Sequence, residues 1–140
     1  MKNSAKTYVL DANAILDYVQ DGPGAATVER VLHEAFHHDA VLLISVINLG
    51  EVFYWLWRNK GEEKAGQTID HLALLPLQSI PVDLPQALKA GEFKALHKIP
   101  YADGIAAALA VAHNATLVTS DRDFEKFGRR NIPIVWLPRR

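Results

Sequence analysis

Five short apolar runs, separated by spans with helical spacing, constrain this chain more than any other feature. The runs are Thr7–Leu10, Val41–Ile44, Leu77–Val82, Thr116–Thr119 and Ile132–Leu137. Each is too short for a buried helix and suits a strand covered on both faces. Helices are expected at about Ala14–Val19, Ala25–His37, Ile47–Trp57, Glu62–Leu74, Pro85–Leu96 and Pro100–Ala112, with a short helical piece at Asp123–Phe127. Ser45 is placed to cap the third of these, Pro85 suits a first helical position, and Asn114 supplies a stop. Ile105–Val111 is apolar on every side, so its helix is expected to be buried. Strands alternating with helices imply right-handed crossovers and an α/β fold around a mostly parallel sheet of about five strands.

Two of the runs end on an acid. Asp11 follows Thr7–Leu10, and Asp121 follows Thr116–Thr119 with one residue between. Glu51 and Asp103 interrupt otherwise apolar helical patterns. Ligands of open α/β sheets bind at the carboxyl ends of the strands, where Asp11 and Asp121 belong. Glu51, from the helix after Ser45, can point back over that edge. Asp103 lies in a first helical turn, where the helix dipole favours a negative charge. All four can therefore meet, and no basic residue is in position to be buried beside them. Two like charges about 4 Å apart repel by roughly 4 kcal/mol at an effective dielectric near 20. A divalent cation removes that repulsion, and hard oxygen ligands without thiolates favour Mg²⁺ or Mn²⁺ over zinc.

The remaining composition narrows the setting. The 140 residues, 49% hydrophobic and 22% charged, suit one domain spanning 1–140. No apolar run is long enough for a membrane span, and the start of the chain lacks the apolar core of a signal peptide. With zero cysteines there is no disulfide, and the cytoplasm is the expected compartment. The formal net charge of −1 argues against indiscriminate nucleic-acid binding. Basic residues nevertheless gather late, at Arg122, Lys126, Arg129, Arg130, Arg139 and Arg140. That stretch reads either as a solvated surface or as a local phosphate-contacting patch.

Four blocks in order carry a resemblance: Tyr8-Val-Leu-Asp11-Ala-Asn13, Ser45-Val-Ile-Asn-Leu-Gly-Glu51-Val, Pro100-Tyr-Ala-Asp103 and Leu117-Val-Thr-Ser-Asp121-Arg-Asp-Phe124. Over essentially its whole length the chain resembles a PIN domain, specifically a VapC-type toxin ribonuclease of a toxin–antitoxin system. The resemblance implies a PIN-like three-layer sandwich and Mg²⁺- or Mn²⁺-dependent endonucleolytic cleavage of RNA by water. It also implies a homodimer and a small cognate antitoxin whose tail occupies the acidic groove. Asp11, Glu51, Asp103 and Asp121 would form the acidic, metal-holding centre. Asn13, Ser45 and Thr119 would be polar supports, and Asp123 an outer acid. Arg122 is placed to contact an RNA phosphate or to pair with a groove acid.

One departure stands out. The family often carries Thr or Ser directly after its first Asp, where this chain has Ala12. Support then falls to Asn13 or Thr119, and reduced rather than absent activity is expected. Ala12 is also what favours a second reading, a catalytically weak PIN scaffold that binds RNA or a protein. An aspartyl phosphatase would want Asp where Asn13 stands, and a receiver module a late-strand Lys that is missing.

Three features lie outside the acids. Phe53-Tyr-Trp-Leu-Trp57 is too aromatic for one core stripe, so one face is expected to meet a second subunit or the antitoxin. His33, His37 and His38 read as a solvated helix end. His97 is expected at the surface.

Overall fold

The computed structural model describes residues 5–128 and 132–139. Its elements follow in the order β1 (Lys6–Leu10), α1 (Ala12–Val19), α2 (Ala25–Phe36), β2 (Ala40–Ser45), α3 (Val46–Lys60), α4 (Glu62–Leu72), β3 (Leu77–Ile80), α5 (Leu84–His97), α6 (Tyr101–Ala112) and β4 (Thr116–Thr119). A short 3₁₀ helix (Arg122–Phe127) and β5 (Ile134–Trp136) complete it. The five strands form one sheet in the order β3-β2-β1-β4-β5, and every pairing is parallel. This is the expected α/β architecture.

The alternation of side chains along each strand separates two cores. Tyr8, Leu10, Leu42, Ile44 and Val118 face one, where α1–α4 pack. Val9, Leu43 and Leu117 face the other, with α5, α6 and the 3₁₀ helix. Because successive strand residues point to opposite faces, the result is a three-layer sandwich. Gly104 lets α6 approach α5 closely: a Cβ there would lie 2.9 Å from the Ala90 carbonyl oxygen. Ile105–Ala110 of α6 are buried, as expected of a helix apolar all round, whereas Val111 at the end of the run is exposed.

Boundaries shift where caps decide them. Asp11 accepts a hydrogen bond from Ala14 N at 2.9 Å, so α1 begins at Ala12, earlier than expected. Asp83 caps α5 through Gln86 N at 2.9 Å, which moves Pro85 to the second helical position. Ser45 caps α3 as expected, accepting from Ile47 N at 3.2 Å. α3 continues to Lys60, past Trp57, and stops at Gly61, whose φ of 93° few other residues adopt. β3 ends at Ile80 rather than Val82, because Pro81 has no N–H for the ladder. β5 keeps only the centre of the expected run. No helix among the described residues is long and apolar enough to cross a membrane.

This strand order carries the functional consequence. From β1 the chain moves outward through β2 and β3, then returns to the other side of β1 to form β4 and β5. The connections diverge between β1 and β4, leaving a crevice at the carboxyl ends of those two strands. Asp11 leaves one strand there and Asp121 the other.

Candidate metal centre

Asp11 is buried at the crevice floor. Its carboxylate accepts from Ala14 N and from the hydroxyl of Thr119, on the neighbouring strand β4. That hydroxyl in turn accepts from Asp121 N at 2.9 Å. One buried Thr side chain thus ties the acid after β1 to the backbone of the acid after β4. Asp121 then caps the 3₁₀ helix, accepting from Asp123 N at 2.9 Å. This brings Asp123 round to face the crevice.

From the other side α6 enters with its first turn. Asp103 Oδ2 is buried and has no hydrogen-bond donor among the described residues. Oxygens of Asp103, Asp121 and Asp123 lie within 4.8 Å of one another. Glu51 is held by Asn48, one turn earlier on α3, whose Nδ2 donates to Glu51 Oε1 at 2.9 Å and to the Ala102 carbonyl at 3.3 Å. A single amide therefore fixes Glu51 relative to the residue before Asp103.

The electrostatics follow from this convergence. Burial pushes the Asp11 carboxyl up to about 7; the hydrogen bonds from Thr119 and Ala14 oppose the rise, and the charges of Asp121 and Glu51 add to it. Burial also pushes Asp103 up, to about 8, followed by the charge of Asp121, a hydrogen bond with it, and the charges of Asp11 and Glu51. Among the described residues, none of the four expected acids forms a salt bridge, and of the acids at this crevice Asp123 alone has one, with Lys126 at 3.5 Å. Carboxylates this close, poor in cations and with an orphaned buried oxygen, fit a hard divalent ion.

Of the four expected acids, Asp103 and Asp121 belong to the tight group, together with Asp123, while Asp11 and Glu51 act on it through their charge. Ser45 is buried and spends its hydroxyl on the α3 cap. Asn13 is exposed and makes no hydrogen bond with a described residue, so the hydroxyl that Asp11 receives is Thr119's. Ala12 packs half-buried against the first core. Arg122 pairs with no acid among the described residues: its Nη2 donates to the Leu137 carbonyl at 3.3 Å, and its guanidinium lies 4.4 Å from the Trp136 ring centroid. Of the late basic cluster, Arg129, Arg130 and Arg140 lie outside the described residues.

Asn48 was not singled out in the sequence, although a polar residue three before Glu51 in an apolar helix was a usable signal. His97 corrects its expectation. It is half-buried, with its ring 4.6 Å from that of Phe127. His33 and His37 are exposed as expected, their Nε2 atoms 3.3 Å apart. In the aromatic segment Phe53 and Trp55 lean on the first core, whereas Tyr54 and Trp57 are exposed.

Thr119→Val keeps the shape and removes the hydroxyl, leaving Asp11 and Asp121 N short of a partner. We expect a loss of about 2–3 kcal/mol in denaturant unfolding. We also expect divalent-ion binding about 10- to 100-fold weaker by calorimetry, with Thr119→Ser close to wild type. An unchanged midpoint and affinity in the valine variant would remove Thr119 from the site.

The chain matches the model of the PIN domain family over residues 8–130. No curated protein matches it by sequence. Among solved structures it is similar to VapBC2 from Rickettsia felis bound to a promoter DNA fragment, with a TM-score of 0.76, 22% identity and coverage of 94% of this chain and 99% of that one. It is also similar to DNA-bound VapBC from Salmonella typhimurium, with a TM-score of 0.73, 20% identity and coverage of 93% and 97%. VapC20 of Mycobacterium tuberculosis, described as a sarcin-ricin-loop-cleaving toxin, gives 0.70 at 17% identity, with coverage of 86% and 95%. At these identities the likeness speaks to the fold, and the fold agrees with the family match, which runs from within β1 past the 3₁₀ helix. The chain belongs to the PIN domain family.

Proposed function

We propose that this protein is a metal-dependent endoribonuclease, the toxin of a toxin–antitoxin pair, acting through Asp11, Glu51, Asp103 and Asp121. The observation that carries the reading is Asp103: a carboxylate oxygen of it lies within 4.8 Å of oxygens of Asp121 and Asp123, and its Oδ2 is buried without a hydrogen-bond partner among the described residues. A bound Mg²⁺ or Mn²⁺ supplies charge neutralisation at a phosphodiester and a more acidic water. Asp103 and Asp121 would hold the ion from α6 and from the end of β4, with Asp123 beside them. Asp11, fixed by Thr119, and Glu51, fixed by Asn48, complete the negative field. In the reaction, water adds to phosphorus, the P–O bond to the leaving nucleotide breaks, and the departing oxygen takes up a proton.

The structural relatives include toxin–antitoxin complexes and a toxin described as cleaving the sarcin-ricin loop. They support an antitoxin as partner and RNA as substrate. The exposed Tyr54 and Trp57 of α3 support a protein-contacting face, and we extend the reading to a homodimer, a single domain over 1–140 and a cytoplasmic site of action. The test is direct: RNA incubated with the purified chain should be cleaved in Mg²⁺ or Mn²⁺ and spared when EDTA is added. RNA left intact under Mn²⁺ would overturn the nuclease and favour the binding scaffold.

A further inference from the structure

Beside the acidic centre lies a groove of about 360 Å³ whose character is the opposite of its neighbour's. Asn13, Gln20, Trp55, Ser120, Arg122 and Arg139 line it. Four of these follow directly from the acids. Asn13 stands two residues after Asp11, Ser120 and Arg122 flank Asp121, and Trp55 lies one helical turn beyond Glu51. Its wall is therefore built from near sequence neighbours of three of the four acids.

Its lining combines one aromatic side chain, Trp55, with two arginines, Arg122 and Arg139. Neither Arg122 nor Arg139 forms an ion pair with a described residue. Arg122 is held in place by the Leu137 carbonyl and the Trp136 ring, so little of its side-chain entropy remains to be lost on binding. Trp55 is half-buried, braced by the first core, while still forming part of the groove wall. Asn13 and Gln20 add amides able to donate and accept.

We propose that this groove is a nucleotide subsite: Trp55 stacks a base next to the scissile bond, and Arg122 and Arg139 contact its phosphate. The inference rests on the nuclease reading and assigns where the single strand runs. Unstacked bases bind flat on aromatic rings in a sequence-tolerant way, while guanidinium groups track the backbone. An acidic peptide would use the two arginines but leave the aromatic wall without a planar partner. The combination therefore favours a nucleotide.

The test measures binding separately from cleavage. A fluorescein-labelled single-stranded RNA hexamer is titrated by anisotropy in EDTA, on an Asp103→Asn background. Arg139→Glu, at an exposed position expected to fold normally, should weaken binding about tenfold or more. Arg139→Ala should flatten the log K against log salt slope by about 0.7. Trp55→Leu should weaken binding about tenfold through lost stacking, and Trp55→Phe should recover most of it. Unchanged RNA affinity in Arg139→Glu and Trp55→Leu overturns the proposal. So does a result in which these variants weaken binding of an acidic peptide but not of RNA. Cleavage of RNA by the unmodified chain with Mn²⁺ is scored separately, so a failed nuclease and a failed subsite give different outcomes.

Discussion

Replacing Asp103 by Asn should cost this protein most of its activity and make its metal-free form more stable. The side chain keeps its size, so α6 and its contact with α5 are undisturbed. What is lost is one of the three carboxylates whose oxygens lie within 4.8 Å of one another. RNA cleavage should fall by about a hundredfold or more, and divalent-ion binding by calorimetry should weaken in step. Stability should move the other way. Asp103 is pushed up to about 8 by burial and by the charges of Asp121, Asp11 and Glu51, so ionising it opposes folding. Without that charge, metal-free Tm at pH 8.5 should rise by about 5 °C; the group is only partly buried, which keeps the gain modest. Loss of activity with a gain in Tm separates a missing ligand from a damaged fold. A variant that cleaves normally, or one that loses both activity and stability, would mean Asp103 does not serve the centre as described.

The second large effect is on pH. Asp11 is raised to about 7 and Asp103 to about 8, whereas an unfolded aspartate titrates near 3.8. Between those limits the folded chain binds more protons than the unfolded one, so metal-free stability must fall as pH rises. The penalty begins above pH 4, grows through neutrality and is complete above about pH 8. For Asp11 alone it is on the order of 4 kcal/mol. A divalent ion reverses the sign of the problem, because it needs the same carboxylates deprotonated. Metal affinity should therefore tighten from pH 6 to pH 8.5, with protons released on binding. An ion at a hundred times its Kd adds about 2.7 kcal/mol. Thermal unfolding with and without Mn²⁺ checks both: the metal-free Tm should drop over this range, and the metal-induced rise should grow. A metal-free Tm that is flat from pH 6 to 8.5 would show the acids ionising without cost, and the case for a cation would weaken.

Much of this was legible in the residues themselves. Ser45 announced a helix start because a cap is a contact between near neighbours, and that cap is present. The all-apolar run Ile105–Val111 announced α6 because periodicity is also a local property, although Val111 at its end is exposed. Placement at the sheet edge followed from two acids ending two apolar runs, since a parallel sheet puts all its carboxyl ends on one side. The errors were local as well: β3 stops before Pro81, and α5 starts from Asp83 rather than at Pro85.

By itself, then, the chain determined its alternating elements, its parallel sheet and the placement of Asp11 and Asp121 at one edge, because each of these depends on short-range spacing. Only the tertiary structure decided how those acids are shared out. Thr119 bonds to Asp11 because β1 and β4 are neighbours in the sheet, a pairing between residues 108 apart. Asn48 reaches the Ala102 carbonyl because α3 meets the first turn of α6, and Arg122 lies on Trp136 because β5 runs beside β4. Asp123 joined the inner group because the 3₁₀ helix turns it back toward Asp103. Such contacts depend on strand order and side-chain direction, which arise from packing over long separations and leave no periodic trace in the sequence.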